Sequence, residues 1–157
     1  MKWALIVVSY LAVVGASLSA AQTPAQVVTT VLKLDKGTDL LSAEPNRAMR
    51  RHFTRAFVNA WRAALKFNED VPFMDGDAIS GYQTVKSLTL KNLNVDASNP
   101  SRVVVTASVF VDSETPETED IRFTLLQEAG AWKIDDVGNN FDHSLHAYLD
   151  KCSNAAC

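Results

Sequence analysis

Several things are scarce in this sequence, and each scarcity narrows what the chain can be. Six glycines and five prolines in 157 residues exclude a collagen-like or proline-rich chain. Two cysteines exclude a disulfide-dense scaffold. Lysine and arginine number 15 against 18 aspartates and glutamates, so the net charge of −3 argues against a basic nucleic-acid binder. Three histidines occur without the Cys/His spacing of a zinc site, and there is neither a glycine-rich phosphate loop nor a nucleophile-elbow sequence. No metal, cofactor or catalytic set is therefore expected. What is present, 47% apolar and 21% charged residues, describes one globular domain.

The first 21 residues read as a secretory leader. Lys2 supplies the positive start, Trp3 to Val14 is an uncharged apolar run, and Ser19 and Ala21 place small residues at positions −3 and −1 of a cut after Ala21. The alternative is a membrane anchor, but the run falls short of the roughly 20 residues that span a bilayer. No cysteine follows it to take a lipid. The expectation is a mature domain over 22–157, periplasmic or secreted, with no stable membrane anchor. In an oxidising compartment Cys152 and Cys157 are expected to pair as a small clasp on the C-terminal tail, worth at most roughly 2 kcal/mol. A redox pair, half of a metal site, an intermolecular bridge and free thiols are the alternatives.

Helical signals come first in the mature chain. Thr23-Pro24-Ala25-Gln26 predicts a capped helix start, with a helix to about Lys36 carrying Val27, Val28, Val31 and Leu32 on one stripe and Gly37 as its stop. Glu44 and Pro45 open a predicted second helix continuing to about Phe67. Met49, Phe53, Ala56, Phe57, Ala60, Trp61, Ala64 and Phe67 share one side of it, with Arg47, Arg51, Arg55, Arg62 and Lys66 in a basic stripe elsewhere. That stripe is either a docking face for an acidic partner, an anionic ligand or a membrane surface, or a solvated helix face.

Beyond Asn68 the period changes from 3.6 to 2. Asn68 to Phe73 breaks the helix, and Asp75-Gly76-Asp77 reads as a polar turn, since it lacks the further oxygens of a calcium loop. Strands are predicted at Thr84–Val95, Arg102–Val111, Asp120–Glu128 and Ala131–Val137, with Ala129-Gly130 as a tight hairpin. Asp112 to Asp120 holds five acids and is expected to be an exposed loop offering Glu114, Glu117 and Glu119. Asp142 or Ser144 caps a last helix with Leu145, Tyr148 and Leu149. The fold class is thus α+β, N-terminal helices packed on an antiparallel sheet in a single domain.

The order of helices and strands, with Gly130 to Val137 as the penultimate element, resembles the cone-shaped superfamily of nuclear transport factor 2 and ketosteroid isomerase. More narrowly, Asp70-Val71-Pro72-Phe73, the following Asp77, Trp132-Lys133-Ile134-Asp135-Asp136 and Ser144 to Leu149 resemble exported bacterial proteins grouped as domain of unknown function 3828. The resemblance covers about residues 22–151. It implies a cone whose pocket would be lined by Trp61, Tyr82, Phe123 and Trp132, with Asp135 or Asp136 pointing in. Fold alone does not assign an activity to it.

Candidate acid-base residues are Asp77, Tyr82, Asp135, Asp136, His143 and His146, and none matches a catalytic motif. Asp135 and Asp136 are neighbours on a strand, so they are expected to face opposite sides. Asp142-His143 reads as a helix cap beside an exposed histidine, with His52 and His146 equally structural. The leading expectation is a non-enzymatic binding or interaction module of the bacterial periplasm. Its partner would be an unknown protein or small apolar ligand, or a second copy if the arginine stripe meets the acidic loop. The alternatives are an immunity or inhibitor protein against a secreted toxin or envelope hydrolase, and a small isomerase- or dehydratase-like enzyme using the pocket.

Overall fold

A computed structural model describes residues 21–35, 47–67, 77–141 and 143–154. Residues 1–20 of the leader, Gly37, Glu44 and Pro45, the expected helix break at Asn68 to Phe73, Asp75 and Gly76, Asp142 and Cys157 lie outside the described residues.

The first helix, α1 (Pro24–Leu34), begins as its sequence dictates: Thr23 Oγ1 accepts the Gln26 N–H and Gln26 Oε1 accepts the Thr23 N–H, a reciprocal cap. Val27, Val28, Val31 and Leu32 are buried beneath it. Four strands follow in a simple meander, β1 (Ser87–Asn99), β2 (Arg102–Asp112), β3 (Glu117–Glu128) and β4 (Ala131–Gly138), each antiparallel to the next. Strict alternation along β2 sends Val103, Val105, Ala107, Val109 and Val111 to one face, where all are buried. The partners across the ladders share that face: Phe123 and Ile121 from β3, Leu93 and Val95 from β1, and Ile134 and Val137 from β4. The helices bury their apolar side chains in this same core. The fold class is α+β.

The β3–β4 hairpin turns at Ala129 and Gly130, whose φ values of 52° and 77° are the paired positive values of a type I′ turn.

The predicted long helix is not continuous. It is divided into α2 (Arg47–Arg50) and α3 (Arg55–Phe67), and the residues between them leave the helix to lie beside β4. Phe53 forms a parallel bridge with Ile134: the Ile134 N–H donates to the His52 carbonyl and the Thr54 N–H donates to the Ile134 carbonyl, both at 2.8 Å. The interruption therefore satisfies part of an edge strand that would otherwise present free main-chain groups. Thr54 then restarts the helix, its Oγ1 accepting the Phe57 N–H at 3.2 Å while donating to Asp135 Oδ1 at 2.8 Å. Glu128 Oε2 accepts the Arg55 N–H, a second orphan amide at the same helix end.

The last helix, α4 (Leu145–Ser153), is capped by Ser144, whose Oγ accepts the Ala147 N–H. It packs Leu145, Leu149 and Cys152 into the core. Cys152 is fully buried and is not a free thiol.

Replacing Thr54 with valine removes the cap and the bond to Asp135 without changing volume much, and is expected to cost about 1–2 kcal/mol in denaturant unfolding. Thr54→Ser, which keeps the hydroxyl, should recover most of that loss.

Candidate functional site

Three regions among the described residues carry chemistry or surface: a buried carboxylate at one end of the sheet, a polar brace at the start of α4, and the face of the sheet opposite the described helices.

The buried carboxylate belongs to Glu119. The strand extends further toward the acidic segment than its sequence suggests, with β3 starting at Glu117, so only Ser113 to Pro116 remain as the connection from β2. Glu119 lies two residues before Ile121 and hence on the same inward face, opposite Val109. This corrects the expectation of an exposed interaction residue: Glu119 is 2% exposed, while Glu114 and Glu117 are exposed. Glu119 Oε1 accepts the Asn140 N–H at 2.6 Å, and Oε2 is buried without a hydrogen-bond partner.

Around it, Asp77 holds a tight turn by accepting the Ile79 and Ser80 N–H groups and the Ser80 hydroxyl on one oxygen, Oδ1. Gly81 closes that turn at φ 79°, under the ring of Phe141. Asn139 ties the turn to the segment after β4 by donating to the Ile79 carbonyl. Tyr82 donates its hydroxyl to Glu117 and meets Phe141 edge to face at 5.1 Å.

Burial pushes the Glu119 carboxyl above the ordinary carboxylate value; the Asn140 N–H opposes this, and Glu117, Asp120 and Asp77 add to it. Burial and the bond to Glu117 likewise push the Tyr82 phenol up. Chemically this is a carboxyl biased toward holding its proton, used to clamp Asn140 against β3.

The brace involves a bulge in β4. Asp135 is the extra residue between the pairs Thr124↔Asp136 and Leu125↔Ile134. The bulge overturns the expectation that Asp135 and Asp136 must diverge, because both reach His146. Asp135 Oδ2 stands 3.9 Å from the ring Nδ1, and Asp136 Oδ1 accepts the His146 N–H at 2.9 Å. Asp135 also takes the Thr54 hydroxyl, and the His146 ring lies edge-on to Phe57 at 5.6 Å. A separation of 3.9 Å is beyond hydrogen-bonding reach, and Thr54 Oγ1 is already occupied as a cap. The cluster joins the starts of α3 and α4 to β4.

The other predicted residues are distributed as follows. Trp61 and Phe123 are buried in the main core, with Trp132 half-buried at its border. Tyr82 belongs to a second, smaller cluster with Val85 and Val111. Arg55, Arg62 and Lys66 remain on one exposed side of α3, where Arg55 faces Glu128 at 3.9 Å. Arg47 opens α2 and Arg51 lies in the interruption, so the break divides the stripe. Arg51 donates to Nε2 of the buried His52 at 3.3 Å, and Lys133 donates to the Arg51 carbonyl. Burial, then Arg51 and Lys133, hold the His52 pKa below its ordinary 6.5.

The third region is the outer face of the sheet. Val104, Thr106, Ser108 and Phe110 of β2 are half-buried there, and Thr118, Asp120 and Arg122 of β3 are exposed. Among the described residues, no group of three or more His, Cys, Asp or Glu side chains could hold a metal, and no helix is long and apolar enough to cross a membrane.

No model of a known protein family matches this chain, and no curated protein is significantly similar to it.

Because the folded-state pKa of Glu119 lies above its ordinary 4.5, the folded protein binds more protons than the unfolded chain above that pH. Its contribution to stability is fully present below pH 4.5 and is lost as pH rises through the folded value. Glu119→Gln keeps the acceptor for Asn140 and removes the charge, so it should raise stability at pH 7 by about 1 kcal/mol. Chemical denaturation across pH 4 to 8 checks this, with the gain vanishing at the acid end.

Proposed function

We propose that this chain is an exported, non-enzymatic interaction module of the bacterial envelope, matured by loss of residues 1–21 and folded as a cone-like relative of the nuclear transport factor 2 superfamily. The observation that carries the interaction reading is that the described helices pack on one face of the sheet only. The helices bury their apolar residues against one face, and the opposite face keeps Val104 and Phe110 half-buried among polar neighbours. A layer of that kind is a surface another molecule can cover. Support for export comes from the leader pattern of Lys2, the Trp3–Val14 run and Ser19/Ala21, together with the resemblance to exported domains of unknown function. A clasp between Cys152 and Cys157 belongs to the same reading, and is supported by Cys152 not being free in a chain with one other cysteine.

The ionisable side chains also favour binding over catalysis. Asp77, Asp135 and Asp136 each accept hydrogen bonds that close a turn, restart a helix or cap one. One observation favours a second, enzymatic reading: the buried Glu119 carboxyl with its raised pKa is the kind of group a general acid requires. Its Oε2 is sealed from solvent, so that reading needs the Asn140 segment to open.

The test is native and denaturing mass spectrometry of the full-length gene product expressed in a bacterium and recovered from the envelope fraction. The expected denatured mass is that of Gln22 to Cys157 less two hydrogens, and the expected native species is a complex with a protein chain. Full-length protein confined to the cytoplasm contradicts export. A tightly held small molecule on a monomer contradicts the protein-interaction reading in favour of a ligand site.

A further inference from the structure

The sheet has two edges, and they are finished differently. On β4 the His52 to Thr54 segment occupies main-chain groups of Ile134. On β1 no described residue pairs with the outer edge, although the strand runs for 13 residues. The direction of the free groups can be read from one bond. The Leu93 N–H is held by the side chain of its own neighbour, Asn92 Oδ1, at 2.9 Å, so it points away from β2. Main-chain groups alternate along an antiparallel strand, and the register from Asn92 to Asp96 is unbroken, so Val95 points outward as well.

The same two residues are apolar and incompletely covered. Leu93 and Val95 lie on the helix-bearing face, opposite Ala107 and Val105, yet Leu93 is only partly buried and Val95 is 43% exposed. On the outer face, Lys91 stands over the Phe110 ring at 5.3 Å and Asp96 lies opposite Val104. This end of the strand therefore carries one charge of each sign, on either side of Asn94.

We infer that β1 pairs antiparallel with β1 of a second copy of this chain, on a two-fold axis through Asn94. In that register the Leu93 N–H exchanges Asn92 Oδ1 for the carbonyl of the second copy's Val95, whose N–H donates back to the Leu93 carbonyl, and the two apolar side chains meet on one face. Asn92 lies opposite the second copy's Asp96. Lys91 lies one position from the same carboxylate on the outer face, and the symmetry makes each of these contacts twice. The two sheets become one continuous sheet of eight strands. Registers displaced by one residue on one strand oppose an inward side chain to an outward one, and so lose the apolar match.

This deepens the proposed interaction role by naming a partner, and it rests on that role for its biological use only. The test uses the purified mature chain, so its outcome is separate from export or from a different protein partner. Sedimentation velocity from about 10 µM to about 1 mM should show a reversible monomer–dimer equilibrium that weakens as salt is raised. Lys91→Asp and Asp96→Lys should each weaken the dimer by about three- to tenfold, and combining them in one chain should restore it. Val95→Pro removes an outward N–H while leaving the β1–β2 ladder its bonds, and should give a monomer with an unchanged far-UV spectrum. A chain that stays monomeric throughout the concentration range overturns the inference. So does a dimer indifferent to the single charge changes, or one that the double change fails to restore.

Discussion

The two main-chain hydrogen bonds between Ile134 and the His52–Thr54 segment are the constraint on which the rest of this structure depends. They end α2, orient Thr54 to restart the helix as α3, and give part of the β4 edge a partner. Thr54 lies where three elements meet: it caps α3, holds Asp135 on the β4 bulge, and through Asp135 faces His146 near the start of α4. Phe53 and Phe57, four residues apart, stack at 4.7 Å across this junction and join the core. The helical layer is thereby fixed to one edge of the sheet, and no described residue pairs with the opposite edge, β1.

The far end of the sheet is organised around a buried carboxyl rather than an apolar contact. Glu119 takes an inward position that periodicity assigns to it regardless of its chemistry, and the protein answers with one hydrogen bond from Asn140 and a raised pKa. Tyr82, Asp77 and Asn139 hold the surrounding turn and loop in place. A neutral residue of the same shape would fit this position with less electrostatic cost. The ionisable residue makes this end of the fold sensitive to pH in the opposite direction from His52, whose contribution is present above its ordinary 6.5 and is lost as pH falls through its lowered folded value.

Much of this architecture was legible in the residues. The reciprocal cap of α1 follows from Thr23 and Gln26, and the meander follows from runs of alternating residues separated by turns. The break in the long helix was not legible, because Met49, Phe53 and Phe57 keep a spacing of four that suits an unbroken helix as well as it suits a helix, a bridge and a second helix. Thr54 is a competent cap, but the third helical position carries Phe57 in place of the glutamate or glutamine that completes the sequence signal. The burial of Glu119 could have been found by extending the period of Ile121 and Phe123 one step back; the acids around it read as a loop and concealed it. The meeting of Asp135 and Asp136 at His146 depends on a bulge, and nothing in the local sequence announces one. The position of β1 at the edge of the sheet is a property of strand order, which only the assembled sheet reveals.

Amide hydrogen exchange, resolved by residue on the purified mature protein, tests the central claim most directly. If residues 52–54 are a structural part of the sheet, the amides of Thr54 and Ile134 exchange as slowly as those of the central β2–β3 ladder, through global unfolding. Exchange at Thr54 and Ile134 as fast as at the exposed residues of the Ser113 to Pro116 connection would contradict the account, since the edge would then be free and the helix break a local accident.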